Sequence, residues 1–131
     1  MLLLACVYSW LTIASTLDAS PAIANLKDSD LRQAKLINAD LIGANLENAN
    51  LGPAFLQGAD FREADLKDVD LRCANLTGAE NLDTKNLGPA KTLYKAKMDS
   101  GLYVQIENEL PHLLNKPADQ WLELNLREKC Q

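Results

Sequence analysis

Aromatic side chains are scarce in this sequence, with two Phe, two Trp and three Tyr among 131 residues. Large cores lean on such rings, so the shortage fits a fold with no bulky centre. Histidine occurs once, as His112 in Leu110-Pro111-His112-Leu113-Leu114. Without evident partners it forms no Ser/His/Asp set, and it reads as a surface or packing residue. The three cysteines, Cys6, Cys73 and Cys130, show no Cys-x-x-Cys or Cys/His spacing, which argues against a zinc site. No glycine-rich phosphate loop is present. The formal net charge is −5, and direct nucleic-acid binding rests on clustered Lys and Arg, so that role is excluded. The acidity is spread along the chain rather than gathered in blocks, as expected of solvated surface.

What the sequence has is a period of five. From Ala24 to Ala79 the centres Leu26, Leu31, Leu36, Leu41, Leu46, Leu51, Leu56, Phe61, Leu66, Leu71 and Leu76 recur without a break. Two residues before each centre stands a short side chain, usually Ala. Between them lies mostly Asn or Asp: Asn25, Asp30, Asp40, Asn45, Asn50, Asp60, Asp65, Asp70 and Asn75. An amphipathic helix repeats near 3.6 residues and a half-buried strand near 2. Five steps turn a helical wheel by about 140° net, which scatters the leucines. A small unit stacked on copies of itself remains.

The A-[DN]-L-x-x string resembles the pentapeptide-repeat family. The resemblance implies an all-β solenoid, a right-handed quadrilateral β-helix of about three to four coils, with four units to a coil. The centre and the preceding small residue would point inward, where buried leucine stacks supply the hydrophobic gain. Asn and Asp suit tight corners because their side chains bond nearby backbone. The expected organisation is a leader or N-terminal cap over 1–24, the β-helix over 25–98 and a C-terminal α-helical cap over 99–131.

Four units to a coil stack residues twenty apart. One face then carries the acidic ladder Asp40, Asp60, Glu80, whose like charges repel unless water, salt or a cation intervenes. Repeat corners supply carboxylates throughout, so the ladder reads first as solvated surface. A weak cation site is the lesser reading, and no cofactor or metal is assigned. A second face carries the alternating ladder Lys27, Glu47, Lys67. A third has Asp30, Asn50 and Asp70 beside Arg32, Gly52 and Arg72. The fourth departs from the pattern with Lys35 and Phe55 in the Asn/Asp positions and Ile37 and Gln57 beside them. Phe55 and Ile37 fall at outward positions, so Lys35, Ile37, Phe55 and Gln57 form a candidate interaction face, covered by the chain's own tail or by a partner.

Met1 to Leu17 carries no charge, and Pro21 precedes Ala22-Ile23-Ala24, a small-x-small triplet of the kind signal peptidase cuts after. An export leader cleaved after Ala24 is the leading reading, although no Lys or Arg marks its start. An N-terminal cap remains open, as does a lipoprotein signal at Leu3-Leu4-Ala5-Cys6 with an upstream start. The apolar run falls short of the roughly 20 residues of a transmembrane helix, so no span is expected in the mature protein.

At Ala79-Glu80-Asn81-Leu82 one residue breaks the register. Asp83 or Thr84 can cap a short helical turn before Leu87, and Gly88-Pro89 stops it. Ala90 to Met98 returns to the repeat. Asp99 or Ser100 can cap a helix through about Leu110, with Leu102, Ile106 and Leu110 on one face, and Pro111 ends it. Asp119 can start a further segment holding Trp121, Leu122, Leu124 and Leu126. Such a tail would cover a coil end that otherwise invites end-to-end pairing, including a homodimer. With the leader gone two cysteines remain, and a Cys73–Cys130 disulfide would pin the tail along the coil.

These features favour a non-enzymatic binding or scaffolding module with an unknown protein partner, in the periplasm, a lumen or outside the cell, or in the cytoplasm if the leader is not cut. The family resemblance supplies an alternative, a DNA-mimicking topoisomerase-interacting protein. Three coils give a rod of roughly 15 Å, against about 34 Å for one turn of duplex. For an exported chain, N-terminal sequencing of native material should begin at Asn25. An intact mass that still includes Met1 to Ala24 would make the segment a cap or an anchor.

Overall fold

The structure, a computed structural model, describes residues 23–116 and residue 130. Most of the expected leader and the Trp121–Leu126 segment lie outside these residues.

Residues twenty apart pair in parallel: Asn25 with Asn45 and Asn45 with Asp65, Asp30 with Asn50 and Asn50 with Asp70, Lys35 with Phe55 and Phe55 with Asn75, Asp40 with Asp60 and Asp60 with Glu80. Four sides therefore make each coil, the quadrilateral β-helix that the family resemblance implies. The N–H of a centre donates upward, as from Leu26 to the Asn45 carbonyl at 2.8 Å. The residue before the next centre returns a bond, as from Asn45 N–H to the Ala24 carbonyl at 2.9 Å. Among the described residues each side is a single bridging residue rather than a multi-residue strand. With a turn every five residues, no side is long enough for more.

The interior is the stack of centres. Leu41, Leu46, Leu51, Leu56, Phe61 and Leu71 are fully buried, and Ala44, Ala49, Ala59 and Ala74 lie against them. At each corner the small residue closes a turn on the preceding centre, as Ala34 N–H does on the Leu31 carbonyl at 3.0 Å. From residue 28 to residue 78, the second residue after the centre has φ between +54° and +68° at ten of eleven positions. Positive φ at the third residue is the signature of a type II turn. Asn, Asp and Gly meet that demand readily, while Gln33, Glu63 and Cys73 meet it at a small cost. The exception is Pro53, whose ring fixes φ near −65°.

The nine Asn and Asp residues sit at the entrance of these turns, in the bridging position, not inside the corner as expected. Each accepts the backbone N–H two residues on, at 2.9–3.3 Å. That is the Asx-turn bond which makes the residue type useful here.

The break also differs from the expectation. Register holds through the Asp60–Glu80 bridge, and then Asp70 pairs with Thr92 and Asn75 with Lys97, an offset of 22. Two residues are added rather than one. They lie with α1, Thr84–Leu87, which replaces part of one side. A helix rises about 1.5 Å per residue against about 3.3 Å for extended chain, so it needs extra residues for the same span. Asp83 caps α1 by accepting from Lys85 and Asn86, and the Asn86 side chain accepts the Asp83 N–H in return.

Helix α2 spans Ser100–Glu109, and a 3-10 turn follows over Pro111–Leu114. Ile106 and Leu113 are fully buried in the same cluster as Leu93 of the last coil, with Leu102 and Leu110 packed against it. Leu93 N–H donates to the Leu113 carbonyl at 2.7 Å, where a further coil would have supplied an acceptor. Asp99 does not cap α2 with its side chain, since its carboxylate takes the Gly78 N–H at 2.9 Å instead. His112 is exposed.

Leu51 sits mid-stack with no exposed surface. Leu51→Asp should abolish the cooperative thermal transition, because an unpaired carboxylate there cannot be solvated. A folded, soluble variant with native circular dichroism would show that the inward register is wrong.

Candidate functional site

Each face of the coil is a set of parallel columns, so its chemistry can be read directly. On the second face Glu47 holds Lys27 at 2.7 Å through one carboxylate oxygen and Lys67 at 3.0 Å through the other, tying three coils together. The Lys27 hydrogen bond, and then that from Lys67, hold the Glu47 carboxyl below its usual range. The same bonds raise both ammonium groups.

On the third face Asp30 pairs with Arg32 at 2.6 Å in full solvent, and the Arg32 hydrogen bond lowers the Asp30 carboxyl. Asp70 and Arg72 form the buried version, with Arg72 Nε donating at 2.7 Å. Gly52 lies between the two arginines in the stack. A Cβ there would come within 3.6 Å of Arg72 Cγ and 3.0 Å of Asn50 Oδ1, so the absent side chain leaves Arg72 room to lie flat.

The acidic ladder Asp40, Asp60, Glu80 is stacked by consecutive bridges, yet its two aspartates turn to local partners. Asp40 accepts from Ile42 N–H. Asp60 accepts from Arg62 N–H at 2.9 Å and from Asn81 Nδ2 at 2.6 Å, and the Arg62 backbone bond leads in lowering its carboxyl. Among the described residues no three His, Cys, Asp or Glu side chains converge as a metal site.

The fourth face brings Lys35, Phe55, Asn75 and Lys97 into one bridged column. Ile37, Gln57 and Thr77 run beside it. Phe55 is 42% exposed and Ile37 54%. Cys130, the one described residue of the far tail, is not on this face. It lies against Cys73 at the corner between the third and fourth faces, joined as a disulfide with Cα atoms 5.0 Å apart. Gln57 Oε1 is shielded from solvent and accepts no hydrogen bond among the described residues. Lys35 and Phe55 are also the positions from Asn25 to Asn75 where a non-Asx residue interrupts the Asx-turn column. Sequence reasoning named these four residues but not Lys95, which follows Tyr94 in the fourth coil with its ammonium 5.6 Å from that ring. The two-residue insertion hid its column, since only the bridges show that Lys95 stacks over Cys73.

The sequence model of the family described as pentapeptide repeats matches residues 24–52 and 44–80, in eight copies. The chain is similar to HetL, a pentapeptide repeat protein involved in heterocyst differentiation regulation in the cyanobacterium Nostoc sp. strain PCC 7120. The two are 34% identical over 57% of this chain and 29% of that one, with a TM-score of 0.43. It is similar to a second pentapeptide repeat protein of Nostoc PCC 7120, 31% identical over 73% of this chain and 82% of that one, with a TM-score of 0.28. A pentapeptide repeat protein of the Arabidopsis thaliana thylakoid lumen is 24% identical over 65% and 75%, with a TM-score of 0.35. The chain thus spans less than a third of the length of HetL. No curated protein matches it.

The Glu47 ladder sets a pH dependence. A carboxyl lowered by folding contributes stability above its unfolded pKa, and the contribution is lost as pH falls through the folded value. The raised lysines contribute below their unfolded pKa, and that share is lost as pH rises through the folded values. Urea midpoints of Glu47→Gln should therefore fall less steeply than wild type below about pH 4, and salt should narrow the difference. Identical acid limbs would mean that the ladder is not coupled to folding.

Proposed function

The chain belongs to the pentapeptide-repeat family, and from that premise we propose that it is an exported, non-enzymatic binding module whose contact surface is the fourth face. The carrying observation is that Phe55 and Ile37 are both exposed on one side of the coil. Proteins of this family are in general structural or binding modules. Lys35, Ile37, Phe55 and Gln57 share a side of the coil, and the turns that hold them are set by the buried stack, so the surface is rigid before a partner arrives. A preformed surface loses little ordering entropy on binding.

Export is supported by the uncharged segment through Leu17, by Ala22-Ile23-Ala24, and by the pairing of Cys73 with Cys130, since lasting disulfides belong to oxidising compartments. Among the described residues no helix is long and apolar enough to cross a membrane. DNA mimicry is the weaker reading. It asks for carboxylates around a long rod, whereas the Lys35–Phe55–Asn75–Lys97 column interrupts them.

Two measurements test these proposals. A photo-crosslinking residue at position 37 should capture a partner in extract of the native host, and one at position 65 should not. Equal capture from both positions would remove the fourth face as the contact surface. Thiol counting on unreduced, exported protein should find no reactive thiol, and reduction should cost about 4 kcal/mol of stability on chain-entropy grounds for a 57-residue separation. Two reactive thiols would remove the disulfide and its support for export.

A further inference from the structure

We infer that the edge carrying Lys35, Phe55, Lys95 and Lys97 docks an acidic, apolar segment of a partner protein. The inference rests on the reading of the fourth face as a binding surface and adds the chemistry of what binds there. Charge distribution carries it. Every other bridging column of the coil contains carboxylates: Asp65 on the second face, Asp30 and Asp70 on the third, and Asp40, Asp60 and Glu80 on the first. The column Lys35, Phe55, Asn75, Lys97 contains none. Nor does the turn column beside it, where Gln33, Pro53 and Cys73 are followed by Lys95. Phe55, Lys95 and Lys97 are exposed, and the chain has a formal net charge of −5. An acid-free strip with cations and an exposed phenyl ring suits a segment that carries both carboxylates and an apolar side chain.

Spacing narrows the partner. Coils lie about 4.8 Å apart, so Lys35 to Lys97 spans about 14 Å, the length of four or five extended residues. Phe55 lies one step from Lys35 and two from Lys97. A short extended segment along the coil axis, with an apolar side chain on Phe55 and carboxylates toward Lys95 and Lys97, fits this edge. The chain's own Met1–Leu17 carries no charge and offers nothing to the lysines. The opposing potentials would set orientation and encounter rate, while the ring supplies the desolvated contact.

The test uses fluorescein-labelled twelve-residue peptides with a central Leu-Phe flanked by Glu, by Gln or by Lys, titrated by fluorescence anisotropy. The proteins are wild type, Phe55→Asp and the double variant Lys95→Glu/Lys97→Glu. All three positions are exposed, and circular dichroism checks the fold. The Glu peptide should bind wild type at least about tenfold more tightly than the Gln or Lys peptides. The double variant should weaken the Glu peptide about tenfold and bind the Lys peptide better, and Phe55→Asp should lose both. Loss with Phe55→Asp but indifference to charge would overturn the acidic partner and leave the binding face standing. Indifference to all the substitutions would overturn both. Co-sedimentation with phosphatidylglycerol vesicles in the absence of peptide binding would give the edge to an anionic lipid surface instead. Self-association abolished by Phe55→Asp in sedimentation would give it to a second copy.

Discussion

Stacking at a separation of twenty residues is the constraint on which the rest depends. Each buried centre lies between centres one coil above and below, and the bridges at Asn25–Asn45–Asp65 and Lys35–Phe55–Asn75 hold that spacing. The interior is one leucine wide on each side, so a shift by one residue would place an Asn or Asp where Leu51 now has no contact with water. Burial of a polar or charged group without partners costs several times what one leucine contributes. Hydrophobic gain and register are thus the same requirement, and the outer surface inherits its order from it.

That order explains why the surface is so regular. Asn and Asp recur because the bridging residue can accept the N–H two positions on, which prepares the turn. Where the bond is lost, at Lys35 and Phe55, the coil continues undistorted because the neighbouring coils fix the backbone. Glu80 likewise keeps its bridge to Asp60. The fold tolerates a local exception and so leaves the outward side chains at those positions to serve other ends. The paired Asp70 and Arg72 show the opposite use of the surface, with a charged pair sunk into space that Gly52 leaves open.

The function proposed here follows from this division between a fixed interior and a free exterior. The coil presents four flat sides. Three of them carry carboxylates in the bridging column, several engaged by backbone N–H groups, arginines or lysines, and the fourth carries Phe55 and Ile37 with a basic edge. A rigid side with distinct chemistry is suited to recognising a partner rather than to moving protons or transferring groups. The single exposed His112 stands apart from the coil's carboxylates, on the 3-10 turn.

The sequence by itself determined the repeating unit, which follows from a period of five repeated eleven times, a local rule that reads off without knowing the packing. Its resemblance to the pentapeptide-repeat family added the inward set, the four-sided coil and with it the columns. It also pointed to a helical turn capped by Asp83 or Thr84, because capping depends on residues within three positions, and the structure gives the cap to Asp83. Only the tertiary structure decided what depends on distant pairings. It set the insertion at two residues rather than one, since the length of α1 is fixed by the bridge from Asp70 to Thr92. It drew Asp99 away from its helix to the Gly78 N–H of the coil below. It placed Cys130 beside Cys73, stacked Lys97 on the column of Phe55 and set Lys95 over Cys73 in the column beside it. Those placements bring together residues more than twenty apart across an irregular stretch, and no local pattern encodes where such a stretch ends.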